Sequence, residues 1–125
     1  MKLRILGDSI RIRIQQQELA DLEQHGTVYD AIHFGIGSVL SYEVQSSESV
    51  HALDAHYEPG RIVILIPKAD VKEMVQTDRV GVSHEKPLDA GNTLKILIEK
   101  DFKCLTPRSE DADAFPHPDE AQGSC

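Results

Sequence analysis

The feature that most constrains the fold is an internal repeat with a period of about 50 residues. The segment that begins at Ile10 (IRIRIQQQELADLEQHGTV) has the same strand, helix and strand pattern as the segment that begins at Ile62 (IVILIPKADVKEMVQTDRV). At an offset of 52 the apolar positions coincide without a gap, and after a slip of two they continue through the next strand. The matched pairs are Ile12 with Ile64, Ile14 with Ile66, Leu19 with Val71, Leu22 with Met74, Val28 with Val80, Leu40 with Leu94, Tyr42 with Ile96 and Val44 with Ile98.

This spacing favours a duplicated strand–helix–strand–strand unit over about 9–45 and 61–99. The alternative is that any two such units share part of the pattern by virtue of their secondary structure alone. The absence of an insertion over the first matched strand, helix and strand favours duplication.

Alternating apolar positions predict strands, and apolar positions three or four residues apart predict helices. Because short hairpin links join antiparallel neighbours, the sheet is expected to be mainly antiparallel. Two helices cannot cover both faces of eight strands. We therefore predict an α+β fold with one curved antiparallel sheet or barrel of about eight strands and two helices packed outside. Strands are expected at 2–6, 9–14, 27–34, 39–45, 50–58, 61–66, 79–85 and 93–100, and helices at 15–25 and 68–77.

Composition and charge limit the classes of function. The chain of 125 residues suits one domain with one core, and no apolar run is long enough to cross a bilayer. The lack of a signal peptide and the presence of only two cysteines predict a cytoplasmic protein. A net charge of -8 argues against a nucleic-acid partner. We expect a domain over 1–103 followed by an acidic, proline-containing tail over 104–125.

The opening stretch KLRILGDSIRIRI is basic although the whole chain is acidic. Residues two apart on a strand share a face, so Arg11 and Arg13 are expected to project together, and Lys2 and Arg4 to do the same on the paired strand. Arginine forks match phosphate and carboxylate geometry, which makes Arg4, Arg11 and Arg13 candidate anion-binding residues. The alternative is that these cations occupy the solvent-exposed face of an ordinary hairpin. Further side chains that could share this surface and pair with the arginines are Lys2, Glu43, Lys95 and Glu99.

The repeat sharpens the interest in this hairpin. At the offset of 52, Arg11 corresponds to Val63 and Arg13 to Leu65. The two halves therefore differ at the positions that carry the charge.

Other motifs give no cofactor or metal site. Asp54, His56 and Glu58 are expected to share one strand face, but a single strand presents a line of ligands rather than a closed shell. The glycines of FGIGS lack a third glycine and a following helix, so they indicate a hairpin turn rather than a nucleotide site. We therefore predict no metal site, no cofactor and no catalytic residue.

The two ends of the chain resemble a family of small, functionally uncharacterised bacterial proteins. The resemblance rests on KLRILGDSIRIRI at the start, and on ILIEKDFKCL with DADAFPHP at the end. The family tail reads F-P-N-P, and here His117 replaces the asparagine. This resemblance implies no established activity.

The duplicated unit is also similar, more distantly, to the triphosphate tunnel (CYTH-like) fold. That resemblance implies an eight-stranded antiparallel barrel in which inward Arg and Lys hold polyphosphate and glutamates bind a divalent metal. The E-x-E-x-K motif of that family is missing from the first strand here.

The sequence therefore leads to two hypotheses. The first is a non-enzymatic module, able to form a homo-oligomer, whose basic hairpin binds an anionic small molecule or an acidic protein segment. The alternative is a metal-dependent phosphohydrolase of tunnel type.

Overall fold

The fold is described from a computed structural model that places residues 1–102 and Phe115. The predicted acidic tail over 104–125 therefore lies, apart from Phe115, outside the described residues. In chain order the elements are β1 (Lys2–Leu6), β2 (Ser9–Ile14), α1 (Gln16–His25), β3 (Thr27–Gly35), β4 (Ser38–Ser47), β5 (Asp54–Glu58), β6 (Arg61–Pro67), α2 (Lys68–Gln76), β7 (Gly81–Pro87), a short 3-10 turn (Asp89–Gly91) and β8 (Thr93–Lys100). Neither α-helix is long and apolar enough to cross a membrane.

The strands form two sheets of four rather than one sheet. The order is β1-β2-β8-β7 in the first sheet and β3-β4-β6-β5 in the second sheet. The outer pairs are antiparallel hairpins, whereas the central pairs, β2 with β8 and β4 with β6, are parallel. The α+β class, the eight strands and the two helices are thus confirmed, but the single sheet or closed barrel is wrong in detail. Each sheet takes one hairpin from each half of the chain.

The strand registers of the two sheets are equivalent. Ser9 pairs with Lys95 in the first sheet, and at the matching positions Arg61 pairs with Ser41 in the second sheet. The offset is 52 residues for β1 and β2 against β5 and β6, and 54 residues for β3 and β4 against β7 and β8. The structural unit is therefore larger than the sequence pattern indicates, because β5 repeats β1.

The slip of two residues lies earlier than the sequence comparison placed it. Val28 is opposite Val44 in β3–β4, and the residue in the same position of β7–β8 is Val82, opposite Ile98. The match of Val28 with Val80 is therefore wrong: Val82 is buried, while Val80 is 52% exposed. The two additional residues belong to the link between α2 and β7.

Arg79 fastens this longer link to α2. Its Nη1 donates to Asp70 Oδ1 at 3.0 Å and to Glu73 Oε2 at 2.8 Å, and its Nε donates to the carbonyl oxygen of Gly81 at 3.1 Å. The corresponding link after α1 is the single residue Gly26, which has a φ of 83° and closes the helix by donating to the Leu22 carbonyl at 3.0 Å. The second half thus needs side-chain bonds where the first half uses a left-handed glycine.

One aliphatic core joins both sheets and both helices. The inward residues of β2 alternate with its arginines, and one face of each helix closes the core. The members are Ile10, Ile12, Ile14, Leu19, Leu22, Val28, Val44, Leu53, Ile64, Ile66, Val71, Met74, Val82, Ile96 and Ile98. The matched helix pairs, Leu19 with Val71 and Leu22 with Met74, are all buried, as the repeat predicts.

Candidate anion-binding face

The first hairpin places its cations on the side of the first sheet that faces away from the core. Arg4 lies opposite Arg11, and Lys2 lies opposite Arg13. Since Ile10, Ile12 and Ile14 of the same strand are buried, their alternating neighbours must point outward. The parallel partner β8 adds Lys95 and Glu99 to the same side. We call this surface the basic face; its members are Lys2, Arg4, Arg11, Arg13, Lys95 and Glu99.

Glu99 is the centre of the basic face. It lies opposite Arg13 in the register, and its Oε1 accepts a hydrogen bond from Arg13 Nε at 3.0 Å. The same oxygen is 3.6 Å from Arg11 Nε. All three side chains are only about one-fifth to one-quarter exposed, with values of 19% for Arg13, 24% for Arg11 and 20% for Glu99. One carboxylate is therefore shared by two partly buried guanidinium groups.

The neighbouring backbone explains how Glu99 reaches this position. Gly81 of β7 is directly opposite Glu99. A Cβ atom at Gly81 would lie 2.6 Å from the carbonyl oxygen of Ile98 and 3.1 Å from Glu99 Cβ. The glycine therefore allows β7 to approach β8 closely beside the carboxylate.

The edge of the basic face contains a further ion pair that the sequence analysis missed. Lys2 Nζ is 3.2 Å from Asp101 Oδ2. Asp101 follows the end of β8, and its N–H donates to the carbonyl of Ile14 at 2.9 Å. Only the parallel pairing of β2 with β8 brings this residue to the first hairpin, so no local pattern could have indicated it.

A shallow depression lies on the opposite part of the basic face. It has a volume of about 220 Å³, and its polar lining is Ser9, Arg11, Ser83, His84, Glu85 and Lys95, so that one carboxylate stands beside the two cations. Pockets for larger ligands usually exceed about 300 Å³. The dimensions therefore suit a small anion better than a nucleotide-sized ligand.

Glu43 is not part of the basic face. It lies on β4 in the second sheet, where its Oε1 accepts from Arg61 at 2.6 Å. Its pKa is lowered first by the hydrogen bond from Gln45, and then by Arg61, against the opposing effect of burial. The expectation that Glu43 shares a surface with the arginines is wrong, because the hairpin β3–β4 joins the other sheet. Glu43 and Glu99 therefore do not meet, and the open sheets do not form the tunnel implied by the more distant resemblance.

The outer side of the second sheet is acidic where that of the first sheet is basic. Val63 and Leu65 stand in the places of Arg11 and Arg13, and Val63 is buried at 9% exposure. Beside them Asp54 accepts from Lys86 Nζ at 2.6 Å and lies 3.2 Å from His56 Nε2. The pKa of Asp54 is lowered overall. Burial acts to raise it, but the hydrogen bonds from Lys86 and from the Ala55 N–H outweigh this effect.

These contacts give Asp54 and His56 structural partners. As predicted, the two side chains share one face of β5. Among residues 1–102 and Phe115, no three His, Cys, Asp or Glu side chains come together in an arrangement that could hold a metal ion.

Comparison with known proteins places the chain in a family without assigning an activity. Neither a curated protein nor a solved structure is significantly similar to it. The model of a family of unknown function (DUF7009) matches residues 1–119, in agreement with the resemblance carried by the two ends, and the chain therefore belongs to that family.

Proposed function

We propose that this protein is a non-enzymatic binding module whose basic face recognises a phosphate or carboxylate anion. The observation that carries the proposal is the shared carboxylate: Arg11 and Arg13 both turn toward a single oxygen of Glu99. Each guanidinium group has five N–H donors in a fixed fork, and a phosphate or carboxylate presents several acceptor oxygens in matching geometry. A ligand that takes over the contacts now made to Glu99 would therefore hold both groups at once.

The charges around Glu99 support the same conclusion. The basic face, with Asp101 at its edge and Glu85 opposite Lys95, holds five cations and three carboxylates, in a chain whose net charge is -8. A local positive region on an acidic protein attracts anions and orients them, while the rest of the surface repels them. The partial burial of Arg11 and Arg13 strengthens each charge-assisted hydrogen bond, because the surroundings are less polar than water.

Two sources could supply this anion, a free small molecule or an acidic segment of a protein. Both present oxygen atoms of the same chemistry, and both are compatible with a shallow depression of about 220 Å³. The experiment therefore compares inorganic phosphate and tripolyphosphate with a synthetic acidic peptide that contains Asp and Glu but no phosphate.

The test measures thermal stabilisation of the wild-type protein by each probe at constant ionic strength. A ligand at 100 times its dissociation constant stabilises the folded state by about 2.7 kcal/mol. We expect one class of probe to raise the melting temperature of the wild type, and the variant Arg11→Ala/Arg13→Ala to lose this response.

The matched control removes two cations elsewhere. Arg61→Ala/Lys68→Ala changes the net charge by the same amount, but Arg61 pairs with Glu43 and Lys68 with Glu48, away from the basic face. It should retain the full response. Equal losses in both variants, or no response of the wild type to any probe, would refute the proposed function.

A further inference from the structure

Among the strands that the structure describes, within residues 1–102, one edge of the second sheet differs from the other three sheet edges. The strand orders leave β1, β7, β3 and β5 as edge strands. Edge strands are usually guarded by charges, prolines or short length, because their unpaired backbone groups can pair with another chain. β1 carries Lys2 and Arg4, and β5 is five residues long with Asp54 and Glu58.

β3 lacks these guards. It is nine residues long, and Asp30 is its only Asp, Glu, Lys or Arg. Apart from the buried Val28, its large apolar and aromatic side chains are exposed, with 66% for Tyr29, 47% for Ile32 and 70% for Phe34. Such a strand is a template for pairing with another strand.

The internal repeat provides a direct comparison. At the offset of 54 established by the strand registers, Ala31, Ile32 and His33 of β3 correspond to Glu85, Lys86 and Pro87 of β7. The segment of β7 therefore has an anion, a cation and a proline where β3 has two apolar residues and a histidine. The same structural position is guarded in one half of the molecule and open in the other.

The backbone of β3 presents its free groups in a regular pattern. The N–H of Ser46 donates to the carbonyl of Gly26 at 2.8 Å, which makes Gly26 and Ser46 a hydrogen-bonded pair. Because such pairs alternate in an antiparallel ladder, the main-chain groups of Thr27, Tyr29, Ala31 and His33 point away from β4.

We propose that β3 pairs antiparallel with β3 of a second copy of this chain, so that the two second sheets form one continuous eight-stranded sheet. Two identical strands related by a two-fold axis match in register by symmetry, and such isologous contacts are the commonest way in which proteins form dimers. With Ala31 on the axis, Tyr29 of each copy lies opposite His33 of the other. The Ala31 N–H then exchanges its 2.8 Å bond to Asp30 Oδ1 for a bond between the copies.

The space beside the edge and the charges around it fit this occupant. A groove of about 430 Å³ runs along the first part of β3 and is lined by Glu18, Asp21 and His25 of α1 as well as by Thr27 and Tyr29. An antiparallel second strand brings its own His33 to this acidic end of the groove. The imidazole of His33 is thereby placed beside Glu18 and Asp21, which line the groove together with His25.

The test transfers to β3 the charged and proline residues that protect the edge of β7. The variant Ala31→Glu/Ile32→Lys/His33→Pro reproduces the β7 sequence, and the proline is compatible because the N–H of His33 points away from β4. The control Tyr57→Lys replaces a residue that is 74% exposed on β5, the opposite edge of the same sheet. Masses are measured by sedimentation velocity over a range of concentrations.

We expect the wild type and Tyr57→Lys to sediment at twice the chain mass of 13.9 kDa, and the triple variant to sediment at that single-chain mass. In the wild type, amide exchange should be slowed at Tyr29, Ala31 and His33 relative to the triple variant. Ile32→Lys alone, which keeps every backbone group, serves in its place if the triple variant does not fold. A single-chain mass for the wild type at every concentration, or a folded edge variant that remains dimeric, would overturn the proposal.

Discussion

Replacing Glu99 by glutamine isolates the electrostatic part of the basic face. The substitution preserves the shape of the side chain but removes the negative charge that Arg13 Nε contacts at 3.0 Å and Arg11 Nε approaches at 3.6 Å. Arg11 and Arg13 then lie side by side on the same face of β2 without the carboxylate between them. The folded state should lose stability, and it should bind added anions more strongly.

The magnitude follows from the exposure of the three groups. Exposed ion pairs contribute about 0.2–1 kcal/mol each, whereas breaking fully buried pairs costs about 3–5 kcal/mol. With 19–24% exposure these two pairs lie between the limits, at about 1 kcal/mol each. Glu99→Gln should therefore destabilise the protein by about 1–2 kcal/mol, which corresponds to about 4–16 °C in melting temperature for a domain of this size.

Thermal melting at low ionic strength measures this loss, and a second series with added phosphate measures its recovery. Phosphate should stabilise Glu99→Gln by more than it stabilises the wild type, because it replaces the missing carboxylate. Glu85→Gln, on β7 of the same sheet opposite Lys95, is the matched control and should change stability by less than about 0.5 kcal/mol.

A double-mutant cycle decides whether the arginines are the cause. Arg13→Gln/Glu99→Gln should be more stable than the sum of the two single losses predicts. Glu99→Gln alone leaves the Arg13 charge without its carboxylate, and Arg13→Gln removes that charge. Strict additivity, or equal losses in Glu99→Gln and Glu85→Gln, would refute this account of the basic face.

Three further predictions concern the fold. Gly81→Ala should cost about 1–3 kcal/mol, measured by urea unfolding, because the new Cβ would meet the Ile98 carbonyl oxygen at 2.6 Å; an unchanged midpoint would contradict this. Asp54 has a lowered pKa, so its stabilising contribution is present above the unfolded pKa and lost as pH falls through the folded one. Lys86→Met removes one cause of the lowered pKa, so the loss of stability between neutral and acidic pH should be smaller than in the wild type, and urea midpoints that depend on pH as in the wild type would argue otherwise. Ile12→Ala, at a fully buried core position, should cost about 2–5 kcal/mol in the same unfolding assay, and a loss below 1 kcal/mol would mean that the core had been misassigned.

The sequence predicts the local part of the fold well, because alternation and helical spacing act over short distances. The period-two pattern of β2 is enough to assign Ile12 to the core and Arg13 to the opposite face. The repeat correctly identifies the buried helix positions. The partner of each hairpin is not encoded locally, since an edge with alternating side chains can accept a parallel or an antiparallel neighbour.

The same limit explains the outcome at the candidate site. Glu99 could be associated with Arg11 and Arg13 because all three belong to strands with strong alternation, and the structure brings them together. Glu43 has an equally suitable pattern but lies on the other sheet. The distinction depends on which hairpins combine, and that is decided by the packing of the whole core.

The exchange of hairpins between the two sheets also has a consequence for the order of assembly. Neither half of the chain contains a complete sheet, and the bond from Arg13 to Glu99 joins positions 86 residues apart. During synthesis the first hairpin must wait for β8, the last described element, before its central parallel partner exists. Folding should therefore be slow for a chain of this length, since long-range strand pairing has to precede most of the burial. Conversely, two separate fragments cut between β4 and β5 each carry what the other lacks, and should assemble with each other rather than fold alone.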